Sequence, residues 1–301
     1  MRISSSPKGI TWIDLNEPTP AELATIIRDV KLSEPDARLC VEKNTRPGWF
    51  MNNHYVLFSL SVPIFFKKNR VTASASILFI ITEEYLITIH HQPIPLLKRL
   101  AEEVPKNPDK FLPGQHNHPV DLFLKLISLL NDGTYQKIER LSKYITIVEA
   151  AVFQGNERKM VEEISFLTRD VMDLRKIFRP HRHLFNTLPS HAFFRADVYD
   201  AWLNIKHTMT DLTDALDVLY ENIQQLSHTN ATMLQHKENE LLRIMAFYSS
   251  LAIPAWMLIT AYNPSNDPNG VVTHIIYWTV LGALIAVLLF IFFRFRGKRV
   301  L

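Results

Sequence analysis

The stretch "FFRADVYDAWLNIKHTMTDLTDALDVLYENIQQL", residues 193–226, decides the fold. From Phe193 to Tyr262 there is no glycine, and the only proline is Pro254. An uninterrupted helix over this range is roughly 100 Å long at 1.5 Å per residue. A helix of that length cannot be buried inside a monomer of 301 residues. The sequence therefore predicts that it packs against other helices or against copies of itself.

The two sides of this helix differ in character. At 100° per residue, one side carries apolar residues: Val198, Trp202, Ile205, Met209, Leu212, Leu216, Leu219, Ile223 and Leu226. The opposite side carries acids, with Asp217 at the border: Asp197, Asp200, Asp211, Asp214 and Glu221. Two interpretations stay open for the acids. They form a solvated face, or they bind metal ions between neighbouring copies of the helix.

The end of the chain has the pattern of two membrane spans. Residues 244–262 and 274–293 are each about 20 residues long, enough to cross a bilayer as helix. Between Ile244 and Phe293 there is no Lys, Arg or Glu, and Asp267 is the only acid. The bases flank this region, and the positive-inside rule predicts both termini in the cytoplasm. They are Lys237, Arg243, Arg294, Arg296, Lys298 and Arg299.

The first part of the chain has mixed secondary structure. Residues 55–66, 74–82 and 85–91 are rich in β-branched and aromatic residues, which is typical of strands. Residues 19–30 form a predicted helix with Thr19 as its N-cap, and residues 93–104 another. After a proline-rich break at residues 105–119, long amphipathic stretches at 120–153 and 159–188 are separated by Gly155, and Pro180 predicts a kink.

Other classes of protein find little support in the sequence. The amino terminus has no apolar core, so we expect no signal peptide. Cys40 is the only cysteine, which excludes an intrachain disulfide. The net charge of +3 is small, and no basic run alternates with aromatics as in nucleic-acid-binding proteins. No phosphate-binding loop or catalytic spacing is found, so the chain is not predicted to be an enzyme.

Several motifs together resemble the CorA family of divalent-metal channels, which includes the ZntB-type zinc transporters. They are "WIDLNEPTPAEL" (12–23), "YLITIHHQPIP" (85–95), "FFRADVYDAW" (193–202), "NELLRIMAFYSSLAIPAWML" (239–258) and "FRFRGKRVL" (293–301). Each is moderately specific, but they occur in the family's order along nearly the whole chain. The chain is therefore identified as a divergent member of that family.

The resemblance implies an α+β membrane protein that assembles as a homopentameric funnel in a bacterial or archaeal plasma membrane. Residues 1–118 are expected to form an αβα cytoplasmic domain with a helical part at 119–192. A stalk helix at 193–243 continues into a first span at 244–262. An outer loop at 263–273, a second span at 274–293 and a basic cytoplasmic tail at 294–301 follow. The expected partners are the other protomers, the bilayer and divalent cations.

The resemblance also implies functional residues. Asp197, the first acid of "DVYD", matches the family's stalk carboxylate that binds a regulatory ion between subunits, and Asp200 is the second acid of the motif. Glu83 or Glu84 is the candidate partner on the neighbouring subunit. With Pro254 aligned to the family's proline, the expected pore-facing positions are Asn239, Leu242, Met245 and Ile253. Trp256 stands where the family usually has a small polar residue.

The loop after the first span departs from the family's signature, Tyr-Gly-Met-Asn. Here Tyr262 is followed by "NPS", residues 263–265, and a one-residue insertion brings Asn266 to the position of the signature asparagine. Mg²⁺ keeps its waters, so a filter for it offers neutral oxygens to the hydrated ion. Asn263, Ser265 and Asn266 can present such oxygens. The alternative is an ordinary tight loop of turn-forming residues.

Two functions follow from these expectations. The first is a pentameric channel for Mg²⁺, with Zn²⁺, Co²⁺ or Ni²⁺ as further candidates, held closed by metal between the stalks. The alternative is a CorA-like scaffold or regulatory protein that has lost selective transport. The histidine pairs 116/118 and 181/183 do not predict a zinc site. An i,i+2 pair on a helix points to different faces, and the linker pair lacks further ligands.

Overall fold

A computed structural model describes residues 2–5, 9–66, 71–112, 118–187, 193–194, 198–261, 275, 277–283, 285–287 and 290. The chain divides into two compact units, residues 1–230 and residues 231–301. All of the strands that the structure describes belong to the first unit, and helix α7 contributes to both.

The first unit is built on a six-stranded sheet in the order β1-β2-β6-β5-β4-β3. The β2–β6 pair is parallel, and the other neighbours are antiparallel. The strands are β1 (Arg2–Ser5), β2 (Thr11–Asn16), β3 (Gly48–Asn52), β4 (Tyr55–Phe66), β5 (Val71–Ile81) and β6 (Tyr85–His90). The three strands predicted from β-branched and aromatic content correspond to β4, β5 and β6. The edge strands β1 and β3 were not predicted.

Helices α1 (Pro20–Val30) and α2 (Glu34–Val41) supply the apolar partners of one face of the sheet. Thr19 caps α1 as predicted. Its hydroxyl accepts from the Glu22 amide at 3.3 Å, and the Glu22 carboxylate accepts from the Thr19 amide at 2.8 Å. This reciprocal capping box satisfies amides that have no partner within the helix. Cys40 of α2 is 1% exposed, and burial, with a smaller contribution from Asp36, raises the pKa of its thiol to about 12.

Two long helices pack against the sheet. They are α5 (Pro119–Ala151) and α6 (Glu157–Leu184), which follow the short helices α3 (Pro95–Glu103) and α4 (Pro108–Phe111). A π-helical turn, Val152–Asn156, joins α5 to α6. Gly155 has φ of +93° in this turn, a conformation that side chains with a Cβ rarely adopt. Gly155 therefore separates the two helices, as the sequence predicted, and Pro180 lies inside α6.

Helix α7 (Tyr199–Ala261) is 63 residues long. It begins at Tyr199 rather than at Phe193, and the side chains of Phe193 and Phe194, which lie in a turn and a bend, are buried. The whole predicted apolar stripe, from Val198 to Leu226, is buried in the first unit. Trp202 packs on two aromatic rings of the core, with ring centroids 5.1 Å from Phe185 and 5.8 Å from Phe58. The 3.6-residue period of the stripe thus predicted the packing face correctly.

Over the residues that the structure describes, no helix combines the length and the apolar character that a bilayer-crossing segment requires. The predicted loop at 263–273 and the basic tail at 294–301 lie outside the described residues. In the second predicted span, residues 275, 277–283, 285–287 and 290 are described, and they are helical.

Candidate functional site

The candidate site is the outer surface of α7. Asp200, Asp211, Asp214 and Glu221 are exposed, whereas the apolar stripe on the other side of the helix is buried. Asp217 is half-buried at the border between the two sides, as predicted. The helix therefore presents carboxylates outward along its first half, where neighbouring copies or cations can approach them.

Two of these carboxylates are already paired with helix α6 of the same chain. Asp217 accepts from both Nε and Nη2 of Arg175, each at 2.7 Å, and this guanidinium also lies 4.2 Å from the centre of the Tyr220 ring. Asp214 accepts from Arg182 at 3.2 Å. Because arginines neutralise Asp214 and Asp217, these two acids are poor candidates for a metal site between protomers.

The remaining acids are better candidates. Asp200, Asp211 and Glu221 form no ion pair within the described part of the chain. Asp200 lies in the first turn of α7, where the positive end of the helix dipole favours a carboxylate. Asp197, the main candidate, lies outside the described residues, so its role stays a prediction. Glu83 and Glu84 are exposed in the turn between β5 and β6, and their role as partner acids also stays a prediction.

Among the described residues, no three His, Cys, Asp or Glu side chains come together in a geometry that holds a metal ion. Carboxylate oxygens suit Mg²⁺, which retains several of its waters and needs only one or two carboxylates. The exposed acids of α7 fit such an ion better than they fit a fully coordinated zinc.

The predicted pore positions lie on α7 in the second unit. Asn239, Leu242, Met245 and Ile253 are all exposed. At 100° per residue they share about a third of the helix circumference, and Trp256 falls on the same side. This common face is what a pore-lining helix requires, but their role in a pore stays a prediction. The filter candidates Asn263, Ser265 and Asn266 lie outside the described residues.

His118 and His181 have structural roles, whereas His116 lies outside the described residues. His118 is the N-cap of α5, where its Nδ1 accepts from the Val120 amide at 3.3 Å. His181 is 1% exposed and accepts through Nε2 from the Ser61 amide at 3.0 Å. Burial lowers the pKa of His181 to about 4, against a smaller opposing contribution from the backbone of Ile177. His183 is exposed, so this i,i+2 pair points to different surroundings, as predicted.

Sequence reasoning missed a buried polar network between β2 and β6. The Trp12 indole donates to the Thr88 hydroxyl at 3.2 Å, and that hydroxyl donates to the Asp14 carboxylate at 2.5 Å. His90 Nε2 lies 3.3 Å from the same carboxylate oxygen. The available signal was the spacing of Trp12 and Asp14 in β2. Residues two apart in a strand share a face, so the sequence indicated that these two side chains lie on the same side of the sheet.

Comparisons with known proteins agree on one family. The family model described as "CorA-like Mg2+ transporter protein" matches residues 7–299. A curated relative, the cobalt/magnesium transport protein CorA of Thermotoga maritima, is 22% identical over 151 residues. That alignment covers 47% of this chain and 41% of the relative, so it spans less than half of either protein.

Solved structures show the same fold. The complete CorA magnesium transporter of Methanocaldococcus jannaschii matches with a TM-score of 0.79 at 17% identity, over 95% of this chain and 90% of that chain. The full-length CmaX protein matches with a TM-score of 0.73 at 18% identity, over 95% and 88%. The ZntB cytoplasmic domain of Vibrio parahaemolyticus matches with a TM-score of 0.53 at 10% identity, over 77% and 88%.

Proposed function

The chain belongs to the CorA-like Mg²⁺ transporter family, and from that premise we propose that it forms a homopentameric channel for divalent cations. The observation that carries the proposal is the extent of the family match, residues 7–299, which includes the stalk and both apolar runs. Mg²⁺ is the proposed cargo, with Co²⁺, Ni²⁺ and Zn²⁺ as further candidates. The site of action is a bacterial or archaeal plasma membrane, with both termini in the cytoplasm.

The surface of α7 in the second unit supports this proposal. Leu241, Leu242, Met245, Ile253 and Trp256 are each more than half exposed. Apolar surface of this extent marks a contact with lipid or with another protein. Residues 244–262 and 274–293 are therefore proposed to span the bilayer, with α7 lining the pore and the second span outside it.

The carboxylates of α7 support a regulatory role for the bound metal. In the proposed closed state, an ion lies between adjacent protomers at Asp197, with Asp200 close by and Glu83 or Glu84 as the partner acid. Bridged carboxylates no longer repel each other, so the stalks are held together. When the ion is lost, repulsion between these acids favours separation of the stalks and an open pore.

Flux into proteoliposomes tests the proposal. Purified protein is reconstituted, and uptake is followed with dyes sensitive to Mg²⁺ and to Zn²⁺. We expect Mg²⁺ uptake that cobalt hexaammine, an analogue of hydrated Mg²⁺, blocks. Asn263→Ala and Asn266→Ala should each change the rate or the ion preference if "NPSN" is the filter, whereas Asn269→Ala in the same loop serves as the matched control.

Two departures from the family's pattern favour the alternative function. The loop has "NPS" where the family has Gly-Met-Asn, and Trp256 replaces a small polar residue on the pore side. An intact oligomer that carries neither Mg²⁺ nor Zn²⁺ in this assay would contradict the channel and support a membrane scaffold. Equal flux in both loop variants and in their control would instead assign selectivity to another part of the pore.

A further inference from the structure

A small cavity lies where four elements of the first unit meet. Its polar lining consists of Ser61 from β4, Asn131 and Thr134 from α5, and His181 from α6. Met209 of α7 lines it as well, together with apolar side chains of β4, α5 and α6. No charged side chain lines it among the described residues. The cavity therefore joins the sheet, the two long helices and the stalk helix at one point.

The size of the cavity limits its occupant. About 20 Å³ is open to the centre of a water molecule. One water needs roughly 10–15 Å³ on this measure. The space accommodates one water and no larger ligand. Empty cavities in proteins are lined by apolar groups, whereas polar cavities of this size hold water.

His181 presents a hydrogen-bond donor to this cavity. Its Nε2 accepts from the Ser61 amide, so Nε2 carries no proton. The neutral ring then carries its proton on Nδ1. Nδ1 is buried and makes no hydrogen bond of good geometry within the described part of the chain, and the backbone of Ile177 contributes only a smaller opposing effect on the pKa of the ring. A buried donor without an acceptor is costly, so an acceptor in the cavity would be strongly favoured.

Asn131 presents a second donor. Its side chain is 3% exposed, and its Nδ2 is buried without a hydrogen-bond partner among the described residues. Thr134 adds an acceptor, because its hydroxyl proton is given to the Leu130 carbonyl at 3.2 Å and its lone pairs stay available. Two donors and a hydroxyl acceptor around a space of one water match the bonding capacity of a water molecule.

We propose that this cavity is a binding site for a single structural water that links α5 to α6 above the sheet. The water accepts from His181 Nδ1 and from Asn131 Nδ2. It donates to the Thr134 hydroxyl. In this role the water completes the hydrogen bonds of two buried side chains, which lack partners among the described residues.

A high-resolution crystal structure of the full-length protein in detergent tests the site directly. We expect one density peak within about 3.2 Å of both His181 Nδ1 and Asn131 Nδ2. A dry cavity in which the Asn131 amide is flipped, so that its oxygen accepts from His181, would overturn the proposal.

A matched pair of variants tests the same site in solution. Thr134→Val removes an acceptor from the cavity. Thr213→Val removes an equally buried hydroxyl that donates to carbonyls of its own helix, at 3.1 and 2.8 Å, and does not line this cavity. We expect Thr134→Val to lower the melting temperature by about 2–4 °C more than Thr213→Val. Equal shifts in the two variants would contradict a water bonded to Thr134.

Discussion

At the scale of single residues, the buried His181 makes the stability of the protein depend on pH. Its folded pKa is about 4, against 6.5 for an exposed histidine. Between these values the unfolded chain binds the proton more tightly, so acid favours unfolding. We expect the contribution of His181 to the free energy of unfolding to be complete above pH 6.5. This contribution should fall by about 3 kcal/mol as the pH reaches 4. Denaturant unfolding at a series of pH values measures it.

Two variants separate this contribution from the other titrating groups. His181→Gln retains an acceptor for the Ser61 amide but does not titrate, so its stability should depend less on pH between 4 and 6.5. His183→Gln changes an exposed histidine of the same turn and should leave the pH dependence as it is in the unaltered protein. If the stability of His181→Gln still falls steeply between pH 6.5 and 4, other residues cause the effect.

Single residues were also the least predictable level of this fold. The sequence correctly predicted that His181 and His183 point to different surroundings, because residues two apart on a helix differ by about 200°. It did not reveal which of the two is buried. That depends on Ser61, which is 120 residues away in sequence and supplies the hydrogen bond that makes burial tolerable. The Asp14–Thr88 contact was hidden for the same reason.

At the scale of helices, the Arg175–Asp217 pair joins α6 to α7. The two side chains are 24% and 44% exposed, and the guanidinium also stacks on Tyr220. Arg175→Met retains most of the aliphatic packing but removes the charge and the hydrogen bonds. We expect a loss of about 1 kcal/mol, seen as a fall of about 2–4 °C in melting temperature.

The matched control is Arg38→Met in α2. Arg38 pairs with Glu34 at 2.7 Å, as close as the first pair, but the two side chains are 74% and 81% exposed. Exposed ion pairs contribute little to stability because water screens the charges and the side chains lose conformational freedom when they pair. A change in melting temperature as large as that of Arg175→Met would show that partial burial and Tyr220 add nothing.

The elements that the sequence predicted are the long and regular ones. The stripe of α7 was predictable because nine apolar residues keep the helical period over eight turns. The strands β4 and β5 were predictable because they are long and rich in β-branched residues. The strands β1 and β3 and the helix α2 have four to eight residues, too few for a period to stand out. The ion pairs that Asp214 and Asp217 form with α6 depend on how the two helices are placed in the fold, so no local sequence pattern predicts them.

At the scale of the whole molecule, the first unit should fold without the second. Its core includes the buried stripe of α7 as far as Leu226. A fragment of residues 1–230 should therefore be helical by circular dichroism and should unfold cooperatively. A fragment of residues 1–194 lacks Trp202 and the rest of the stripe, and it exposes the apolar surface that the stripe covers. We expect this shorter fragment to aggregate, and equal behaviour of the two would contradict the assignment of α7 to this core.

Binding of Mg²⁺ should stabilise the assembled protein. If an ion bridges protomers at Asp197, the oligomer in detergent should melt at higher temperature with Mg²⁺ than with a chelator. Asp197→Ala should remove most of this difference, because only the bound state gains stability from the ion. Asp214→Ala is the control, since Arg182 already occupies that carboxylate. Identical Mg²⁺ effects in the unaltered protein and in Asp197→Ala would contradict the site.

The parallel pairing of β2 with β6 has a consequence for synthesis on the ribosome. Asp14 and Thr88, which face each other across this pair, are 74 residues apart in sequence. The β1–β2 hairpin therefore leaves the ribosome well before its neighbour exists, with Trp12, Ile13 and Leu15 uncovered. The strands β3 to β6 form a local meander that can assemble rapidly once translated, because its contacts are close in sequence. The amino-terminal hairpin is thus the segment that a nascent-chain chaperone would encounter first.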